Sequence, residues 1–283
     1  MCGKCHSCLR IQVVVLTLPG LILLPFLTAA VSLLATTPAG ADDPRTQSGR
    51  EGSASTLFSA TLVNLRDLLK QGSYDEAETG ARKLLATQES TAPEDLKGRI
   101  EILDVLVQSL LRLQEWKQPE TEALAKEAVD LSRRVFGDED IVFARALNSL
   151  ANLYFYRSNI AAARETWEQV LAIRMKVLGP DHPDVAKALN NLGLINQQEG
   201  NYAEALRLLE QSRIIREKAL GPDHPDVATS LTNIGNQLVN LGDYQAAIEA
   251  QERSLAIREK ALGANHPLVA ETLSNLGDAY YLM

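Results

Sequence analysis

Leu178-Gly179-Pro180-Asp181-His182-Pro183 recurs as Leu220-Gly221-Pro222-Asp223-His224-Pro225, and again as Leu262-Gly263-Ala264-Asn265-His266-Pro267. Each step is 42 residues, and Phe136-Gly137-Asp138-Glu139-Asp140 fills the same place one step earlier. Residues 182–223 and 224–265 share 20 identities over those 42 positions, far beyond coincidence. A period of this length marks a stack of supersecondary units rather than a single closed core.

Each unit reads as two helices. Val185, Leu189, Leu192 and Ile195 recur at helical spacing, with Pro183 suited to a first turn and Asp184 near the positive end of that helix. Gly200-Asn201 interrupts the pattern. Tyr202, Ala205, Leu209, Ser212 and Ile215 then mark the buried stripe of a second helix, running to Leu220. Gly221 is placed to supply a left-handed C-cap and Pro222 to stop continuation, while Arg216 and Lys218 suit the helix dipole. One helix pair cannot bury its own apolar face, so neighbouring pairs must stack on it. The expected fold is therefore all-α.

The positions that carry this pattern resemble those of the tetratricopeptide family. Its large, small and aromatic sites fall on Leu189, Leu192-Gly193, Tyr202, Ala205, Leu209 and Ser212. The next unit offers Leu231, Ile234-Gly235, Tyr244, Ala247 and Ser254, with Gln251 departing from the usual bulky residue. The unit before offers Leu147, Leu150-Ala151, Tyr154, Ala163 and Trp167. The longer second helix and the Leu-Gly-Pro-Asp-His-Pro link make the variant similar to the kinesin light chain type, found also in exported bacterial repeat proteins. The resemblance implies a right-handed superhelical solenoid of antiparallel helix pairs. Gly193, Gly235 and Gly277 are then points of close helix approach. An armadillo or HEAT-like solenoid has a similar period, but the Gly-x-Tyr turn and the small residues at fixed offsets argue against it.

The units are expected at about 57–97, 98–139, 140–181, 182–223 and 224–265, with a partial unit at 266–283. Upstream, Leu68–Ala77 keeps the break and second helix, and residues 98–139 keep the length but lose the glycines, with Trp116 and Pro119 at the inter-helix turn. Residues 42–55, DDPRTQSGREGSAS, read as a flexible linker. Residues 1–41 contain Lys4 and Arg10, no acid, a strongly apolar run at 11–34, and small residues at Ala39 and Ala41. These are the parts of a secretory signal cleaved after Ala41, which predicts an extracytoplasmic solenoid; a run this long also allows uncleaved anchoring in a membrane. The three cysteines, Cys2, Cys5 and Cys8, fall in that segment. Their spacing is that of a metal site, but a dozen residues with no supporting fold point instead to a segment that is removed.

Removing residues 1–41 leaves 26 basic against 36 acidic residues, a net charge of −10, without a basic run. Such a chain repels phosphate backbones, so no nucleic-acid partner is expected. No nucleophile elbow, Walker loop, dinucleotide fingerprint or zinc-protease motif occurs, and neither catalysis nor a cofactor is expected. Arg216-Glu217-Lys218 and Arg258-Glu259-Lys260 read as solvated faces. His182, His224 and His266 sit in equivalent links, where successive helices 8–10 Å apart cannot bring them onto one ion, so they read as turn residues rather than metal ligands.

In tetratricopeptide solenoids the first helices line a concave groove that holds a protein or peptide. Carried over by position, its lining here is Arg145, Asn148, Asn152 and Tyr156; then Lys187, Asn190, Asn191, Leu194 and Gln198; then Thr232, Asn233, Asn236 and Asn240; then Ser274, Asn275 and Asp278. Asn191, Asn233 and Asn275 form one column at the repeat spacing. An asparagine amide both donates and accepts, so such a column can grip an extended backbone without demanding its sequence. Arg145 and Lys187 lie near one end of the groove, Glu271 and Asp278 near the other. The resemblance implies an interaction scaffold; the alternative is the regulatory repeat region of a larger enzyme of the caspase-like, kinase or cyclase kind. The last helix, ending in Tyr280-Tyr281-Leu282-Met283, is expected to support self-association.

Overall fold

The computed structural model describes residues 44–283, with side chains from Leu57 onward. The expected signal or anchor, the three cysteines and the cleavage site after Ala41 lie outside the described residues. Among those described, no helix is long and apolar enough to cross a membrane.

Eleven α-helices and one 3-10 turn follow one another, with no strand among the described residues. They are α1 (Pro44–Gln71), α2 (Tyr74–Thr91), α3 (Leu96–Arg112), the 3-10 turn Glu115–Lys117, α4 (Pro119–Phe136), α5 (Ile141–Tyr156) and α6 (Ile160–Leu178). After them come α7 (Pro183–Gln198), α8 (Tyr202–Leu220), α9 (Pro225–Leu241), α10 (Tyr244–Leu262) and α11 (Pro267–Leu282). The pairs α5–α6, α7–α8 and α9–α10 pack most closely, and each packs on the next pair, which is the all-α solenoid expected of the repeat. The backbone is helical from Pro44, inside the stretch 42–55 expected as linker; Pro44 fits a first turn, and residues 45–55 offer nothing apolar larger than Ala54.

The link between pairs is the same local solution three times. His182, His224 and His266 are extended residues whose Nδ1 accepts a hydrogen bond from the backbone N–H two residues on, at 3.1, 3.1 and 3.2 Å. Each imidazole thus caps the helix that a proline opens, satisfying an otherwise orphaned first-turn donor. Gly221 does not adopt the expected left-handed helical cap. Its φ of 91° is paired with ψ of 157°, a region open essentially to glycine alone, and it turns the chain directly into the extended Pro-Asp-His segment.

The cross-pair core follows the predicted columns. Val185, Leu189, Leu192 and Ile195 on α7 are buried, as are Ala205, Leu209 and Ser212 on α8; Tyr202 and Ile215 are half-buried. The Ser212 hydroxyl donates to the Ala186 carbonyl at 2.8 Å, and Ser254 repeats the bond to Ala228 at 2.9 Å. These hydroxyls satisfy themselves on the partner helix, which is why a polar residue sits in an apolar stripe.

Arg216 and Arg258, read as solvated, are buried. Arg174, Arg216 and Arg258, 42 residues apart, each send Nη1 to a first-turn carbonyl of the following helix, on Asp184, Asp226 and Leu268, at 2.9, 2.9 and 2.8 Å. Burial pulls all three below the ordinary arginine pKa. Lys218 and Lys260 do face solvent, where they pair with Asp181 and Asp223 of the preceding link.

One buried column carries a mismatch. Gln237 occupies the position of Ile195 and Ala279, is fully buried, and neither its amide nitrogen nor its oxygen has a hydrogen-bond partner among the described residues. An unsatisfied buried amide costs about 1–3 kcal/mol. Gln237→Leu is therefore expected to stabilise the full chain by about 1–2 kcal/mol, read as a higher urea midpoint at unchanged slope. An unchanged or lower midpoint would show that the amide is satisfied in solution.

Candidate peptide-binding groove

First helices of successive pairs touch along one layer of the stack. Asp104 of α3 pairs with Arg145 of α5 at 3.5 Å, and Asn233 of α9 donates to Asn190 Oδ1 of α7 at 2.9 Å. Second helices are tied in the same way, Glu217 of α8 to Arg253 of α10 at 2.7 Å. The residues between consecutive first helices therefore face one continuous surface.

On that surface a polar cavity of about 440 Å³ lies between α3, α5 and α7. It gathers Arg145, Asn148, Asn152, Tyr156 and Lys187, five residues that the repeat register places in the groove. Gln108 and Arg112 of α3 and Arg174 of α6 join them and were not foreseen. The first pair were missed because residues 98–139 lack the glycines that fix the register. Arg174 sits on a second helix, where the register predicts no groove residue. Its recurrence as Arg216 and Arg258, with Ser230 and Thr272 each 14 residues further on, was the available signal.

The asparagine column does not behave uniformly. Asn191 and Asn275 are half-buried and make no side-chain hydrogen bond among the described residues. Asn233 is engaged by Asn190, which is itself buried, so this pair ties α9 to α7 instead of standing free for a ligand. Asn236 accepts from Gln251 Nε2 at 3.0 Å. Thr232, expected in the groove, is buried and meets the Ser254 hydroxyl at 2.8 Å, because its position turns toward α10. Leu194 is half-buried, whereas Gln198, Asn240, Ser274 and Asp278 are exposed. None of these residues lines the cavity.

Charge is unevenly distributed over the surface. Four cations, Arg112, Arg145, Arg174 and Lys187, line the cavity against one carboxylate, Asp184, which pairs with Lys187 at 2.9 Å. Burial raises the Asp104 pKa, opposed by Arg145 and by a 2.9 Å hydrogen bond from Gln108. The sequence expected only Arg145 and Lys187 at this end.

A model of the tetratricopeptide repeat matches residues 142–213, 184–237 and 231–283, together half of the chain. No curated protein matches. Among solved structures, a kinesin light chain protein with nearly identical TPR-like repeats from Podosopora anserina is 24% identical, with a TM-score of 0.57 over 71% of this chain and 94% of that one. BtubC from P. vanneervenii is 23% identical, with a TM-score of 0.59 over 75% and 82%. A Rap protein in complex with competence and sporulation factor is 14% identical, with a TM-score of 0.62 over 80% and 63%. At these identities the likeness shows the fold. With three overlapping matches across the units whose links, caps and columns coincide, the chain belongs to the tetratricopeptide repeat family.

Proposed function

We propose that the protein is a non-catalytic scaffold that holds an extended peptide or protein segment along the first-helix layer. The observation that carries this reading is the cavity between α3, α5 and α7, where Asn148 and Asn152 stand beside cations, with Asn191 half-buried on α7, the helix that supplies Lys187. Amides on a rigid helix layer offer donors and acceptors to a peptide backbone at little ordering cost. The Rap protein of similar fold, solved with competence and sporulation factor, is consistent with this use of the architecture.

Selection of random dodecapeptides on phage against the full chain, followed by fluorescence anisotropy of the winners, tests the proposal. The triple variant Asn148→Ala, Asn152→Ala, Asn191→Ala is expected to weaken binding about tenfold or more, since two or three hydrogen bonds of roughly 1 kcal/mol each are lost. Far-UV circular dichroism should be unchanged, because none of the three amides holds the fold. Absence of any binder, or equal affinity in the variant, would sink the groove reading.

A further inference from the structure

The face by which a first helix receives its second helix recurs on α7, α9 and α11, and among the described residues it is covered only on the first two. Leu189 and Leu231 are 9% and 5% exposed beneath α8 and α10, whereas Leu273, at the same place on α11, is 49% exposed. Gly193 and Gly235 are buried, and Gly277 is exposed. Tyr280 closes one end of this strip, its hydroxyl donating to Glu252 of α10 at 2.9 Å.

Three polar contacts accompany the covering helix α10, and their acceptors recur one repeat further on without a partner. Gln251 lies over Gly235 and donates Nε2 to Asn236 at 3.0 Å; the place of Asn236 is taken on α11 by Asp278. Arg253 pairs with Glu217 of α8 at 2.7 Å; the place of Glu217 is taken on α10 by Glu259. Ser254 donates to the Ala228 carbonyl at 2.9 Å, and the counterpart of Ala228 is Ala270, which is exposed. Asp278 and Glu259 are exposed and form no ion pair or hydrogen bond among the described residues. Nearby cations are engaged elsewhere, Arg258 on the Leu268 carbonyl and the Thr272 hydroxyl, Lys260 on Asp223. The strip is therefore apolar along its length and negative at its rim. A second α11 does not complement it: that helix carries Glu271 and Asp278 and no basic residue, so pairing it with itself sets carboxylate against carboxylate.

We infer that the open face of α11 docks a basic amphipathic helix of a partner protein, lying on α11 as α10 lies on α9. A lysine or arginine of that helix passes over Gly277 to Asp278, a second cation two residues further on meets Glu259, and the serine after it bonds the Ala270 carbonyl. A long basic side chain suits the first position, since its stem covers apolar surface while its head stays at the wet rim. The apolar anchors come from Leu273 and Leu276, as in other helix-in-groove complexes. The surface shares no residue with the cavity between α3, α5 and α7, so it stands or falls apart from the groove reading.

The probe is a labelled peptide with the sequence Tyr244–Leu262 and the change Gln251→Lys, titrated with the full chain by fluorescence anisotropy. A control peptide, matched in helicity by circular dichroism, carries Gln251→Glu and Arg253→Glu. The basic peptide is expected to saturate, and the control to bind about tenfold or more weakly. In the chain variant Asp278→Asn, Glu259→Gln the two peptides should come within about threefold of each other, as exposed ion pairs of modest worth predict. Gly277→Val should weaken the basic peptide about tenfold or more, because it fills the space the cation's stem crosses, at an unchanged thermal midpoint of the chain. No saturation up to about 1 mM, equal binding of both peptides, or full affinity in Gly277→Val would overturn the proposal. Sedimentation velocity of the chain alone should show a monomer; a dimer abolished by Gly277→Val would give this face to a second copy and overturn it as well.

Discussion

Trp167→Ala is expected to be the most destabilising single truncation in the chain, by about 3–5 kcal/mol. Trp167 is the largest fully buried side chain of the solenoid. It sits on α6 against Ala151 of α5, within a cluster that includes Phe143, Leu147, Val170 and the α7 residues Val185 and Leu189. Phe155 packs on it with ring centroids 5.6 Å apart. The cluster therefore joins two repeats, and in a stack where each repeat touches only its neighbours, loosening it should uncouple the array. Urea unfolding followed by far-UV circular dichroism should change from one transition to two. Trp167→Phe is expected to cost much less, because the indole N–H has no hydrogen-bond partner and its removal recovers part of the lost packing. A single transition in Trp167→Ala, shifted by under about 1 kcal/mol, would mean that this cluster does not couple the repeats.

Trp167 also shows how much of the fold could be read in advance. Trp167, Leu209 and Gln251 form one column, and the small residues opposite them, Ala151, Gly193 and Gly235, form another; both are visible in the sequence as residue types at a fixed period. Helix propensity, caps and apolar spacing agree with that period, so the fold was legible wherever local signals pointed the same way. The groove was legible only in part. Asn148, Asn152 and Lys187 line the cavity, on the face where the helix period alone puts them. Thr232 and Asn233 do not, because a partner decides whether a polar residue points inward: Ser254 takes the first and Asn190 the second. Arg216 beside Glu217 and Lys218 has the local sequence of a solvated face. Its burial depends on where the link returns the next helix, a property of the turn and not of the residues around the arginine.

The three glycines predicted to permit close helix approach do not share one fate, and the difference gives a matched pair of substitutions. A Cβ on Gly193 would stand 2.9 Å from Leu209 Cγ and 3.0 Å from its Cδ2, with the Ala205 carbonyl oxygen 3.4 Å away. A Cβ on Gly235 would meet Gln251 Nε2 at 2.6 Å. At Gly277 nothing lies within 4 Å, because among the described residues no second helix covers α11 as α8 and α10 cover α7 and α9. Gly193→Val is therefore expected to destabilise by roughly 3 kcal/mol, since three added carbons cannot be housed without separating α7 from α8. Gly277→Val should stay within about 0.5 kcal/mol of the parent, and Gly277→Ala should stabilise by about 0.8–1 kcal/mol through helix propensity alone. Thermal and urea midpoints of the full chain check all three. If Gly277→Val proves as damaging as Gly193→Val, the face of α11 is covered in solution; analytical ultracentrifugation of the same samples would then show whether a second copy covers it. If Gly193→Val is tolerated, the α7–α8 contact is looser than its 2.9 Å approach requires, and the small-residue column is not what sets the spacing of the helix pairs.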